Sequence, residues 1–348
     1  HTHIVDIETD GTQGFPVFNN PLCAIYLISV YSTKTNKITT FGTQEYHGKL
    51  PINYVYCRDE EELLKSYFKF HRSDYPDILS GWNSETFDIP YIVQRAEYLL
   101  GEKFVEKYSP THNIQVREKY GETIIDIGGI TQLDYLNLYK EYGKEERESH
   151  RLDYIGKVEY GMGKTKYEGT LDEFRQRDWE GFVSYNVRDV FIVKKIHDDY
   201  NFIRLVQGQA YLNKVPLDRV SSAIKKMDGY LMTILKPLKI VLPTTKKGEG
   251  GVIPGGYVKE VRSGYFRKGV TYDYRSLYPS IMFALNLSPE TYIGRIVLTT
   301  GRKQMELADN GEWYPYLDLE NIIDDDVYVL ESDIYPLTDS KIYGSALK

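Results

Sequence analysis

Two carboxylates two residues apart, Asp6 and Glu8 in HTHIVDIETD, open the chain with a pattern that could hold a divalent cation. Ile4, Asp6 and Glu8 alternate with Val5 and Ile7, so in a strand both acids project from one face. Two like charges ~4 Å apart repel by ~4 kcal/mol at an effective dielectric near ~20, and a bound cation or a solvent-facing edge position relieves that. Asp88 in GWNSETFDIPYI stands where a strand gives way to a helix, fit to be a third site acid or a simple N-cap. Tyr185 and Asp189 in SYNVRDV are i and i+4, a spacing open to a catalytic pair and to an ordinary helix-face contact. In VTYDYRSLYPSIMFALNLSPET, Val270 to Tyr272 reads as a strand that delivers Asp273. A polar turn and an apolar run, Leu277 to Leu287, follow. Such a junction holds a metal and a phosphate in some proteins and is a buried strand–turn–helix with a capping Asp in others.

Those side chains need elements to position them. LCAIYLISVYS and ITTFG read as second and third strands, adjacent and antiparallel to the first. RDEEELLKSYFKFHRSDYP predicts a helix, with Asp59 and Glu62 at capping-box spacing and a stripe of Leu63, Leu64, Tyr67 and Phe68. DILSGW is a strand, and the helix after it begins near Pro90 and stops at Gly101. HNIQVREKYGETIIDIGGITQLD has two alternating runs about Lys119 to Gly121, a hairpin pattern, and YLNLYKEYG is helical. KEERESH reads as solvated surface, a helix starts after Thr170, and Trp179 to Tyr200 is a long helix. Asn201 to Val241 is helical with interruptions at Pro216 and Pro237. PTTKKGEGGVIPGGYVKE, rich in Gly, Pro and Lys, marks a boundary, and Lys246, Lys247, Lys259, Arg262, Arg267 and Lys268 are the local basic concentration. It suits a phosphate backbone or a plain charged linker.

Composition narrows the function classes. With 348 residues the chain is long enough for two or three cores, and 14% aromatics exclude a disordered chain. The net charge of -7 argues against a non-specific nucleic-acid binder while leaving room for a carboxylate metal site. Cys23 and Cys57 lack metal-ligand spacing and the 7 histidines are scattered, which speaks against a zinc centre. No apolar run approaches the ~20 residues of a membrane span, and no signal-peptide pattern opens the chain. A protein of the cytoplasm, not of a membrane, is expected.

Taken together, the motifs resemble a known set. Asp6-Ile7-Glu8, Asp88 in GWNSETFDIPYI, and Tyr185 with Asp189 resemble the three exonuclease motifs of family B DNA polymerases, in order. PGGYVKE resembles that family's link between exonuclease and polymerase domains, and DYRSLYPSIMFALNLSPET its first palm motif. Order and spacing look closest to polymerases of the T4-like phages, over nearly the whole chain.

The resemblance implies an α/β fold: a ribonuclease H-like exonuclease domain, a mixed five-stranded sheet flanked by helices, followed by a partial polymerase palm. Residues 1–204 would be the 3'-5' exonuclease domain, 205–250 a helical connector for a preceding domain, and 251–348 the first part of the palm. It implies 3'-end hydrolysis with two Mg²⁺ or Mn²⁺ ions, bound by Asp6, Glu8, Asp88 and Asp189, with Tyr185 orienting the attacking water. Asp273 would be a palm metal ligand, and Ser276, Leu277 and Tyr278 would meet the nucleotide. Gly255, Gly256, Tyr257 and Lys259 would touch DNA. The expected partners are a single-stranded 3' end or primer-template, a second polypeptide carrying fingers, remaining palm and thumb, and a sliding clamp; the expected place is the cytoplasm of a phage-infected bacterium. A second palm acid in an Asp-Thr-Asp type turn and a fingers helix are not found, so the reading places the end of the chain near the palm–fingers border and expects no polymerisation by it alone. The alternative is a non-catalytic half of a split polymerase, binding DNA and a partner.

Overall fold

The computed structural model describes residues 1–12, 14, 21–119, 122–163, 167–241, 258–261, 263–287, 294–299, 302–307, 330–336 and 342–345. The chain divides into two compact units, His1–Lys247 and Gly248–Lys348. The strands of the first are β1 Thr2–Thr9, β2 Ile25–Ser32, β3 Lys37–Gly42, β4 Asn53–Tyr56, β5 Ile78–Ser80, β6 Ile114–Lys119, β7 Glu122–Ile127 and β8 Thr131–Gln132. Its helices are α1 Glu60–Ser73, α2 Asp88–Leu100, α3 Glu102–Val105, α4 Tyr135–Tyr142, α5 Leu152–Tyr160, α6 Leu171–Arg177, α7 Trp179–Tyr200, α8 Phe202–Asn213 and α9 Ala223–Leu235.

Six strands form one mixed sheet in the order β4-β3-β2-β1-β5-β8. β2 runs antiparallel to both β1 and β3, and β5 and β8 continue parallel on the other side of β1. The sheet thus has one strand more than the expected five. Neither β4, four residues laid parallel on the outer edge of β3, nor β8, two residues beside β5, is read from the sequence, because both are too short to announce themselves by alternation. β6 and β7 pair apart from the sheet as the expected hairpin.

Alternation along β1 feeds two separate cores. Ile4 joins Leu27, Phe182, Val183 and Val190, so that face packs on α7. Val5 and Ile7 join Ile28, Leu63, Leu64, Tyr67, Ile89 and Ile92, so the other face packs on α1 and α2. The capping signal at α1 is real: Asp59 accepts from the Glu62 backbone N–H at 2.8 Å, and Glu62 reaches back to the Arg58 N–H at 2.9 Å. α6 begins with a full capping box between Thr170 and Glu173. Among the described residues no helix is long and apolar enough to cross a membrane.

In the second unit, α10 spans Leu277–Ala284, and β9 Gly294–Thr299, β10 Arg302–Leu307, β11 Leu330–Pro336 and β12 Ile342–Ser345 form an antiparallel sheet in the order β10-β9-β11-β12. The strand expected at Val270 to Tyr272 is not one: these residues are irregular and exposed, Tyr272 at 90%. An extended apolar segment becomes a strand only when a neighbour accepts its backbone ladder, and none pairs with it among the described residues. Gly255, Gly256 and Tyr257 lie outside the described residues.

Candidate active site

β1 presents Asp6 and Glu8 on its α7 face, Asp6 half-buried and Glu8 buried. α7 answers with buried Tyr185, Asn186 and Asp189. The link between the two is direct: the Asn186 side-chain amide donates to Asp6 Oδ2 at 2.6 Å across 180 residues of sequence. Tyr185 is held by an edge-on ring contact with Tyr167, which itself stacks on Phe174 of α6.

Asp88 arrives from the other direction. It does not cap α2: Phe87 is the N-cap residue, without a side-chain bond, and Asp88 is the first helical residue. Its carboxylate instead accepts from the Ile7 backbone N–H at 3.0 Å. Parallel pairing of β1 with β5 ends at Ile4 and Ser80, so Ile7 lies past the last residue of β5, and the Asp88 side chain takes the place of a missing strand. The acid is thereby tied to the residue between Asp6 and Glu8. Helix start, strand and distant helix meet at one end of the sheet.

Burial is the largest influence on Asp88 and pushes its carboxyl up to about 7; the Ile7 N–H opposes this, and the charges of Asp134 and Asp189 add to it. Asp134 was not foreseen as part of this neighbourhood. It caps α4 by accepting from Leu136 N–H at 2.8 Å, and also accepts from Asn83 N–H at 3.0 Å and Glu85 N–H at 3.0 Å. It thus secures the turn that leads from β5 to Asp88, and burial lifts its own carboxyl to about 6. Its position just before the helical run YLNLYKEYG was a readable cap signal, whereas its bonds to the β5–α2 turn are tertiary. Asn186 was overlooked although it sits beside Tyr185.

Among the described residues no group of three His, Cys, Asp or Glu side chains is drawn together closely enough to hold a metal ion. In donor type the site still suits a hard divalent cation, because Asp6, Glu8, Asp88 and Asp189 offer only carboxylate oxygens. In charge it suits one too: three of the four are buried, and Asp189 raises the cost of ionising Asp88.

The residues expected to serve a second site lie in the second unit. Asp273, Ser276 and Tyr278 are exposed, as is Lys259. Ser276 precedes α10 with a left-handed backbone, φ 50°. The turn after Asp273 and the helix start are therefore present, without the preceding strand.

Comparison with known proteins places these observations. Residues 4–155 match the profile of the DNA polymerase family B exonuclease domain, which takes in Asp6, Glu8 and Asp88. Residues 217–323 match DNA polymerase family B, which takes in Asp273, Ser276, Leu277 and Tyr278. Tyr185 and Asp189 fall between the two matches. The DNA-directed DNA polymerase of Escherichia phage RB69 is 36% identical over 299 residues, 84% of this chain and 33% of the relative. That of Enterobacteria phage T4 is 33% identical over 248 residues, 70% of this chain and 28% of the relative. A DNA polymerase of Pyrococcus glycovorans is 26% identical over 302 residues, 82% of this chain and 36% of the relative. The chain spans about a third of the length of these curated relatives. The mixed sheet with helices on both faces is the ribonuclease H-like arrangement the exonuclease profile calls for, and the chain belongs to DNA polymerase family B, carrying its exonuclease domain and part of its polymerase domain.

Proposed function

We propose that the first unit is a 3'-5' exonuclease that removes nucleotides from single-stranded or frayed DNA ends, the proofreading part of a replicative phage polymerase. The observation that carries this reading is the pair of bonds Asn186–Asp6 and Asp88–Ile7, which join three motifs 80 and more residues apart at one end of the sheet. Asp6, Glu8, Asp88 and Asp189 would hold two Mg²⁺ or Mn²⁺ ions. Such ions would supply charge neutralisation and would lower the pKa of an attacking water. The chain's own residues do the rest. The Tyr185 hydroxyl, on the α7 face shared with Asp189, orients the attacking water, and its packing against Tyr167 fixes that direction. Asp88 ties its carboxylate to the backbone between the two β1 acids, so the ligands keep their spacing as the substrate enters.

In domain terms, residues 1–204 form the exonuclease domain, 205–250 a helical connector and 251–348 the opening of the palm. There Asp273 would be a metal ligand and Ser276, Leu277 and Tyr278 the nucleotide contacts, with Gly255, Gly256, Tyr257 and Lys259 against DNA. The test is trimming of a 3'-labelled single strand with Mn²⁺. Asp189→Ala is expected to slow trimming by at least ~100-fold. Equal trimming by the two proteins, or none by either, rejects the reading.

A second reading, a partner-binding half of a divided polymerase, draws on the apolar side chains exposed on α9: Ile224, Met227, Tyr230, Met232 and Ile234. Size-exclusion chromatography with a candidate polypeptide carrying fingers and thumb decides it; an unchanged elution position removes it.

A further inference from the structure

Asn186, next to Tyr185 on α7, has only one end of its amide bonded among the described residues. The side chain is fully buried in the middle of α7. Its amide nitrogen donates to Asp6 Oδ2 at 2.6 Å, while Oδ1 is buried with no hydrogen-bond partner among the described residues. The orientation of the amide follows from charge. Turning it over would aim Oδ1 at a carboxylate oxygen, two acceptors face to face, so Asp6 dictates which end of the amide it meets. A buried asparagine serving only the fold would satisfy both ends, as native cores do. This one gives a donor to a proposed metal ligand, and its acceptor is unmatched among the described residues. The bond ties the helix that carries Tyr185 and Asp189 to Asp6.

We propose that Asn186 is a positioning residue for Asp6, holding that carboxylate in the rotamer in which it meets the divalent cations. The inference rests on the exonuclease reading and deepens it. A charge-assisted N–H bond to one carboxylate oxygen restricts the side-chain rotation that would otherwise average its direction away from the ions. Outer partners of this kind alter metal affinity by roughly 10- to 100-fold when removed. Asn186 is fully buried and its bond is to Asp6, so its action on the ions runs through that carboxylate.

The experiment uses the full chain and three proteins: wild type, Asn186→Leu, which keeps the volume, and Asn186→Ala, which keeps the helix should the leucine be refused. Mn²⁺ binding is measured by calorimetry without DNA, melting temperature without metal, and 3'-end trimming as a function of Mn²⁺ concentration. The expected result is Mn²⁺ affinity weakened roughly 10- to 100-fold, with trimming restored by Mn²⁺ raised in proportion. The leucine variant should melt close to the wild-type temperature, since removing the unmatched buried acceptor offsets the lost bond to Asp6. A structural role predicts the opposite split: a lower melting temperature and an unchanged Mn²⁺ curve. Wild-type Mn²⁺ affinity in a folded variant overturns the proposal while leaving the exonuclease reading intact. A wild-type chain that neither binds Mn²⁺ nor trims overturns both.

Discussion

The Asp88 carboxyl lies between the Ile7 N–H, which favours its anion, and burial with two nearby acids, which favour its neutral form at up to about 7. An acid that holds its proton more tightly folded than unfolded adds stability at low pH. That contribution is complete below the ordinary carboxylate value of 3.8 and is lost as pH climbs through about 7. Without divalent cations, the melting temperature should therefore fall between about pH 4 and about pH 7. Asp88→Asn keeps an oxygen for Ile7 and removes the charge. It is expected to flatten that fall and to exceed wild type by roughly 1–3 kcal/mol at the alkaline end. Calorimetry across the range checks it, and parallel curves would count against the ionisation of Asp88 as the cause. That Asp6 and Glu8 share one face of a strand, and Tyr185 and Asp189 one long helix, was legible because alternation and i,i+4 periodicity are local, while their reading as one set came from the family resemblance. Which atom each acid bonds was not: Asp88 to Ile7 and Asp6 to Asn186 are contacts between residues 81 and 180 apart.

At the scale of elements, the turn from β5 to α2 is pinned by a close approach at Gly81. A Cβ there would stand 2.5 Å from the Val5 carbonyl oxygen and 2.6 Å from Ser84 Cβ. The first of these is backbone of the central strand and cannot yield without moving β1. Gly81→Ala should cost about 1–3 kcal/mol in urea unfolding and slow trimming along with it, because Asp88 rides on that turn. An unchanged urea midpoint would mean the turn gives way more easily than its packing implies. α1 meets β1 through two buried histidines, His71 and His3, whose rings lie 6.3 Å apart. His71 Nε2 donates to the Tyr108 carbonyl, and burial depresses its pKa to about 3 and that of His3 to about 4. Depressed histidines stabilise the fold above their ordinary value of 6.5, and that stability is lost as pH falls through the folded values. For His71 the loss approaches roughly 4 kcal/mol by about pH 3. His71→Phe should be less stable near neutrality, for want of the bond to Tyr108, yet show a shallower acid limb in a pH series of urea midpoints. A limb as steep as wild type would place the acid sensitivity elsewhere. Elements with strong caps or stripes, such as α1 and α7, could be read directly. α5 could not, because Arg151 at its N-cap makes no side-chain bond and a charge run precedes it.

Across the whole molecule, 50 acids outnumber 43 lysines and arginines, so any grip on DNA must come from a minority of local cations. Single-strand affinity, measured by anisotropy with Ca²⁺ in place of Mg²⁺, should fall with salt at a logarithmic slope of about -2 to -3, some three or four phosphates' worth. A slope near zero would point to stacking rather than phosphate contacts. The division into two units was readable from the Gly- and Pro-rich stretch near residue 250, while the surroundings of Asp273 were not, since a strand depends on neighbours distant in sequence. β1 links the scales. Odd and even residues along it serve different masters, Val5 and Ile7 the core beneath α1 and α2, Asp6 and Glu8 the site beneath α7. Inserting or deleting a single residue between Ile4 and Glu8 would therefore exchange the two sets, driving acids into one core and aliphatics into the site. The one-residue gap between the two acids is on this view inherited from the pleat of the sheet: the chemistry could tolerate other spacings, but a central strand with a core on each side leaves no other reading frame open to descent.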